Sequence, residues 1–191
     1  CDSIGVKLIH ISTDHLFDGR KIIYDESDEP IPVNIYAKSK LLGEKNVLKE
    51  NRNSLIIRTN FFGNGPIHRT SFSDIILNSL KKNKCIYLFN DVKYTPIQIN
   101  ELVRIVNNLI ETKKSGIYNV VSNEIISKYD FGILLASTLN LEKKLIKKSF
   151  LADRMDLVKR PLNMSLSCKK IEKELNIRVL PLTEQVKFCD T

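Results

Sequence analysis

The chain has 191 residues, 42% of them hydrophobic and 27% charged, enough apolar material for the core of one globular unit or slightly more, which excludes disorder as an overall description. Apolar stretches such as Ile75-Ile76-Leu77 are soon closed by Asn78 and Lys81, far short of the roughly 18 uncharged residues of a membrane span, so no membrane partner is expected. A net charge of +8 raises nucleic acid as a partner, yet the lysines fall in dispersed pairs (Lys81-Lys82, Lys113-Lys114, Lys143-Lys144, Lys147-Lys148, Lys169-Lys170) without interleaved aromatics, a pattern that predicts a solvated basic surface suited to a diphosphate-bearing ligand and no nucleic-acid binding.

The amino terminus, Cys1-Asp2-Ser3-Ile4-Gly5-Val6-Lys7, lacks the basic and apolar regions of a signal peptide and does not begin with Met, so the chain is expected to be the carboxyl-terminal part of something longer. Cys1, Cys85, Cys168 and Cys189 form no CxxC pair, which predicts a reducing, cytoplasmic setting. His10, His15 and His68 form no HExxH pattern and have no cysteines at ligand spacing, so no metal is expected.

Val6 to Ile11 is a β-branched run ending at Ser12-Thr13-Asp14, and it predicts a strand buried on both faces of a parallel sheet. The link from Asp14 to Val33 has no clear element. Its acidic cluster, Asp25, Glu26, Asp28 and Glu29, is either functional or a solvated turn. Ile35 to Glu50 predicts a helix capped by Asn34, with Leu41, Leu42, Val47 and Leu48 as its apolar stripe. Ser54 to Thr59 predicts the next strand. A βαβ unit results, placing Thr13 and Asn60 at the same carboxyl edge, where ligands of open α/β sheets bind. Farther on, the pattern predicts a helix over Ser71–Lys82, a strand over Ile86–Phe89, a helix over Asn100–Lys113 stopped at Gly116, and a buried strand over Ile117–Val121. Ser127 and Asp130 predict a capping box opening a helix through Leu139, before a strand near Leu145-Ile146 and a short helix after Ser167.

Tyr36 and Lys40 stand four residues apart, on one helical face with Cβ atoms about 5–6 Å apart, and an ammonium that close stabilises a phenolate. Tyr and Lys at this spacing also occur by chance as solvated pairs. The preceding strand, however, delivers the hydroxyls of Ser12 and Thr13 to the same edge, where they can share a substrate oxygen with Tyr36. Gly43, one turn beyond Lys40, weakens the helix and predicts that something packs close.

These residues fall in segments that resemble one family, the extended short-chain dehydrogenase/reductases, and within it the dTDP-4-dehydrorhamnose reductases. Ile11 to Gly19, ISTDHLFDG, is similar to the family's STDYVFDG segment, with His15 and Leu16 in place of Tyr and Val. PVNIYAKSKLLGE, Pro32 to Glu44, resembles P-x-N-x-Y-G-x-[ST]-K-x-x-G-E, with Ala37 where Gly is common. Arg58-Thr59-Asn60-Phe61-Phe62-Gly63 and Arg160-Pro161 with Ser165 resemble two further signatures, so the likeness covers nearly the whole chain.

The resemblance implies an α/β fold: the carboxyl-terminal part of a Rossmann-type doubly wound parallel sheet over residues 1–65, and a mainly substrate-binding mixed α/β domain over 66–191, with segments around 86–121 returning to the sheet. It implies NADPH or NADH as cofactor, a nucleotide-linked 4-keto-6-deoxy sugar as substrate, and a possible homodimer for the parent protein. By the same likeness Tyr36 protonates the carbonyl oxygen, Thr13 polarises it, and Lys40 binds the nicotinamide ribose and eases proton loss from Tyr36. Ser12, Thr59, Asn60 and Phe61 join Tyr36 and Lys40 around the cofactor, while Thr13, Asp14, His15, Asn60 and Arg160 contact substrate. For Arg160 a structural salt bridge beside Pro161 is nearly as good a reading. The family's G-x-x-G-x-x-G phosphate loop is not in these residues, so the chain alone is expected to bind dinucleotide poorly and to show no turnover. Epimerisation or dehydration of a nucleotide sugar, and a non-catalytic binding module on the same fold, remain the alternatives.

Overall fold

The structure is a computed structural model that describes residues 1–65 and 70–189. The predicted βαβ unit opens it as β1 (Ile9–Ile11), α1 (Ile35–Glu50) and β2 (Leu55–Arg58). Then come β3 (Phe61–Phe62), α2 (Phe72–Lys81), β4 (Ile86–Phe89), β5 (Lys93–Tyr94), β6 (Ile97–Gln98), α3 (Ile99–Glu111) and β7 (Gly116–Asn119). The chain closes with β8 (Ile126–Ser127), α4 (Lys128–Thr138), β9 (Ile146–Ser149), α5 (Lys169–Leu175) and α6 (Leu182–Gln185). No described helix is long and apolar enough to cross a membrane.

β1, β2 and β7 form a parallel sheet with β2 in the middle, Ile9 opposite Leu55 and Leu55 opposite Gly116. All four residues of β2 are buried, as a central strand requires. β1 departs from its expectation. It starts at Ile9 and its Ile11 is 42% exposed, because among the described residues this strand has a neighbour on one side only.

The range around 86–121 also divides differently from the expectation. Only Gly116–Asn119 joins the β1–β2 sheet, while Ile86–Phe89 pairs in parallel with Ile146–Ser149 in a separate two-stranded sheet. Two apolar cores follow. One, with Leu55, Ile57, Ile105 and Tyr118, draws in Leu166 and Ile171 from the far end of the chain, so the packing does not split at residue 65. The other gathers Phe62, Ile76, Tyr94, Phe131 and Leu182 around α2 and α4.

α1 is capped as predicted, the Asn34 Oδ1 accepting the Ala37 N–H at 2.8 Å. Its inward face is not the full leucine stripe: Leu42 is exposed, and Ala37 and Glu44 are the buried positions. Glu44 is held there by the buried Arg58, whose Nη2 and Nε donate to its carboxylate at 2.8 and 3.0 Å. α3 ends at Glu111, Lys113 just beyond it takes the left-handed region (φ 54°), and Gly116 starts β7 instead of stopping the helix.

The link after Asp14 is packed, not a solvated turn. Leu16, Phe17 and Tyr24 are buried, Phe17 stacks on Tyr24 at 4.2 Å, and Tyr24 pairs with Leu166. Of its acidic cluster, Glu26 accepts the Asn119 N–H at 2.8 Å, capping the end of β7.

Candidate active site

β1 and β2 end side by side. The Ser12 N–H donates to the Ile57 carbonyl at 2.7 Å, extending the ladder past β1, so Ser12, Thr13 and Asp14 leave the sheet beside Thr59 and Asn60. Asn60 Nδ2 donates to Asp14 Oδ2 at 2.7 Å, joining two residues assigned to substrate from sequence. Thr13 Oγ1 donates to Asp14 Oδ1 and accepts the His15 N–H, both at 3.3 Å. Burial pushes the Asp14 carboxyl above its usual range, opposed by His15, Lys128 and these hydrogen bonds.

α1 brings Tyr36 to the same place. The His15 and Tyr36 rings meet edge to face, centroids 5.8 Å apart at 85°. Tyr36 is 52% exposed, open to an incoming ligand. Lys40 sits one turn along, but its ammonium donates to the Ile11 carbonyl at 2.6 Å, anchoring the helix to the last residue of β1 instead of meeting the phenol directly. Gly43 does have a close neighbour: a Cβ there would lie 3.4 Å from His10 Cε1 and Nε2. Ser12 Oγ and Thr59 Oγ1 are buried without partners among the described residues, and Phe61 is exposed on β3.

Arg160 forms no ion pair among the described residues, and its Nε is buried without a partner. It lines a cavity of about 290 Å³ with His15, Phe72, Tyr87, Lys128 and Met164. A larger hollow of about 800 Å³ lies between Gly19–Ile22 and Ser127, whereas the smaller cavity reaches His15, whose ring meets Tyr36, and so is the one next to the chemistry.

Sequence reasoning missed Lys128. Ser127 caps α4 as predicted, accepting the Asp130 N–H at 2.9 Å, and so fixes Lys128 as the first helical residue. Its ammonium lies 3.3 Å from the Tyr94 ring centroid and 4.7 Å from that of Phe72. Burial draws its pKa down to about 8, with Asp14 opposing and Arg160 reinforcing the shift. As one lysine among many it carried no local signal. A polar residue opening a helix, directly after its cap, was the one available hint.

The profile of the RmlD substrate binding domain matches residues 1–189. A probable low-salt glycan biosynthesis reductase, Agl14, of Haloferax volcanii is 32% identical over 180 residues, which cover 92% of this chain and 60% of that protein. The methionine adenosyltransferase 2 subunit beta of Xenopus laevis is 29% identical over 178 residues, 89% of this chain and 53% of that one. Among solved structures, a hypothetical dTDP-4-dehydrorhamnose reductase from Sulfolobus tokodaii superposes with a TM-score of 0.82 at 33% identity, over 96% of this chain and 64% of the other. The Bacillus anthracis dTDP-4-dehydrorhamnose reductase, solved in complex with NADP, shares the fold at a TM-score of 0.91 and 24% identity, over 98% and 66%. The chain thus spans a little over half to two thirds of the proteins it matches. With the profile running through both sheet edge and cavity, this chain belongs to the RmlD substrate binding domain family.

Proposed function

We propose that this chain carries the proton-delivering and substrate-binding part of a reductase that uses NADPH or NADH on a nucleotide-linked 4-keto-6-deoxy sugar. The observation that carries the reading is the arrangement at the end of β1, with Lys40 on the Ile11 carbonyl, Tyr36 against His15 and Thr13 bonded to Asp14 and His15, beside a cavity lined by His15, Lys128 and Arg160. The residues fit the nicotinamide end of such a cofactor: Ser12 Oγ and Thr59 Oγ1 are buried polar atoms awaiting partners, and Phe61 offers an exposed ring. When bound, the reduced cofactor supplies a hydride. Tyr36 gives its proton to the substrate oxygen, and the Thr13 hydroxyl, released from Asp14, donates to the same oxygen. Lys40, held at the Ile11 carbonyl, orients the helix that carries Tyr36 and would hold the cofactor ribose.

A glycine-rich phosphate loop is not among these residues, so the chain alone is not expected to turn over, and the test uses the parent protein. With a nucleotide-linked 4-keto sugar, the parent consumes NADPH or NADH in step with formation of the reduced sugar, and Tyr36→Phe lowers that rate by about 10²–10⁴-fold. Conversion of the sugar with no net cofactor consumption would establish an epimerase or dehydratase. The adenosyltransferase beta-subunit likeness favours a second reading, a non-catalytic module, which dinucleotide binding without any conversion would establish.

A further inference from the structure

Lysine pairs that stand apart in the sequence do not all stay apart in the fold. β4 follows the end of α2 and β9 follows the end of α4, and the two strands run parallel with Ile86 opposite Ile146. That register brings two lysine-rich turns to the same end of the small sheet, Lys81, Lys82 and Lys84 on one and Lys143 and Lys144 on the other. Lys147 and Lys148 continue the series along β9, and all of these lysines are exposed. Residues 80–90 and 139–150 carry one acid between them, Glu142, whose carboxylate pairs with Lys144 at 3.2 Å. Asp91 lies past the far end of β4, where its oxygens accept the Leu151 N–H.

Part of this charge has a local use. The carbonyl end of a helix favours cations, which accounts for Lys81 and Lys82 at the end of α2. It does not account for Lys147, a strand residue opposite Tyr87. Leu88 and Ile146 face Gly132 of α4, so by the alternation of a strand Tyr87 and Lys147 face outward. Tyr87 is 70% exposed, an aromatic ring standing among ammoniums. Lys84, Lys143 and Lys147 form no ion pair among the described residues. Cations gathered this way repel one another, and an extended anionic partner offsets that repulsion.

The make-up of the patch selects the kind of partner. Lysine offers a compact, hydrated charge that attracts a charged plane through water without fixed geometry, whereas short-range grip on single phosphates favours arginine forks, and no arginine lies in residues 80–90 or 139–150. A nucleic-acid single strand stacks its bases on successive rings, and β4 and β9 offer one exposed ring, Tyr87. A tyrosine with its polar tip is instead suited to the headgroup level of a bilayer.

We infer that the lysine edge of the β4–β9 sheet is a docking surface for an anionic lipid membrane, held by charge with Tyr87 at headgroup depth. This is attachment to a surface, for which no spanning helix is needed. Tyr87 also lines the cavity that His15 and Arg160 share, so the docked face and the cavity adjoin.

The test is sedimentation of the full-length parent with vesicles of equal parts phosphatidylserine and phosphatidylcholine, set against vesicles of phosphatidylcholine alone. The protein is expected to bind the first and not the second, and added salt should weaken that binding. Lys84→Gln, Lys144→Gln and Lys147→Gln combined should weaken it by about 10²-fold. The same loss of charge at the exposed Lys45, Lys49 and Lys113, on α1 and after α3, should leave it nearly unchanged. Failure to prefer the phosphatidylserine vesicles would overturn the inference, and so would an equal loss in the two triple variants, which would assign the attraction to net charge. DNA that binds through Lys84, Lys144 and Lys147 more tightly than the vesicles at the same salt would give the surface to nucleic acid and sink the lipid assignment. All the substituted side chains are exposed, and unchanged circular dichroism and melting separate lost binding from misfolding.

Discussion

Asn60 Nδ2 and Asp14 Oδ2 lie 2.7 Å apart, and this hydrogen bond ties the loop leaving β1 to the loop leaving β2. It is also one of the few polar contacts open to a carboxylate that is almost wholly buried. Asn60→Leu removes that donor and leaves Asp14 short of a partner, at a cost of about 1–3 kcal/mol measured by urea unfolding at neutral pH. The Asp14 carboxyl already sits above its ordinary range, so its ionised form weighs against the fold. A group raised in this way favours the native state most below its unfolded pKa and loses that contribution as pH rises through the folded value. Removing a donor to the ionised form raises it further. The destabilisation by Asn60→Leu should therefore shrink between neutrality and about pH 4, and a loss independent of pH would show that Asn60 acts by packing alone.

A second prediction concerns the helix that carries Tyr36. Glu44 on α1 and Arg58 on β2 form a buried ion pair at 2.8 Å, and Arg58 also lies 5.6 Å from the Phe17 ring centroid. Breaking one side strands the other charge. Glu44→Ala is expected to cost about 3–5 kcal/mol, whereas Glu44→Met with Arg58→Met should recover much of it, because two apolar stems avoid the desolvation of either ion. A double variant less stable than both singles would contradict this account.

Gly63 closes the segment after β3 with a φ of 142°, and a Cβ there would stand 2.7 Å from Ile99 Cγ2. Gly63→Ala is expected to lose about 1–3 kcal/mol by denaturant unfolding. Trimming the neighbour with Ile99→Ala, which removes Cγ2, relieves the steric component and leaves the backbone component in place. A neutral Gly63→Ala would mean that the loop between β3 and α2 readjusts freely.

Those residues also show what the sequence made legible. The βαβ unit announced itself through local signals: β-branched runs over Ile9–Ile11 and Leu55–Arg58, the Asn34 cap, and the spacing of Tyr36 and Lys40. Because parallel strands joined by one crossover pack side by side, the placing of Thr13 and Asn60 at one carboxyl edge followed from topology, while the Asp14–Asn60 hydrogen bond did not. The pairing of β4 with β9 did not, because it joins segments some 60 residues apart, Ile86 with Ile146, through no local pattern. Leu42 was misplaced because a stripe of leucines does not reveal that a buried ion pair occupies the inward position at Glu44. Lys128 stayed hidden for the same kind of reason: its setting is made by Tyr94, Phe72 and Asp14, each on a different segment.

The last prediction uses that setting. Burial draws the Lys128 pKa down to about 8, well under the ordinary lysine value of 10.5, while Asp14 partly holds it up and Arg160 presses it down. Of the other groups facing it, His15 is shifted toward its neutral form and Tyr94 is pushed well above its usual range, so neither changes charge between neutrality and the lysine's titration. A terminal phosphate, with its last pKa near about 6, is fully charged across this window. Thymidine diphosphate affinity should then fall as pH rises through about 8, because a positive charge lining the cavity is being lost. In Lys128→Arg the cation survives and the affinity should stay level. Stability without ligand moves the other way. A lysine whose folded pKa lies below its unfolded one penalises the native state while both are protonated, and that penalty lifts as pH climbs through the folded value toward the unfolded one. Wild type should therefore gain stability relative to Lys128→Met over the same interval in which it loses ligand affinity. Opposite slopes of binding and stability against pH, both abolished by Lys128→Arg, would trace the two effects to one ammonium. Parallel slopes would place the titrating group elsewhere.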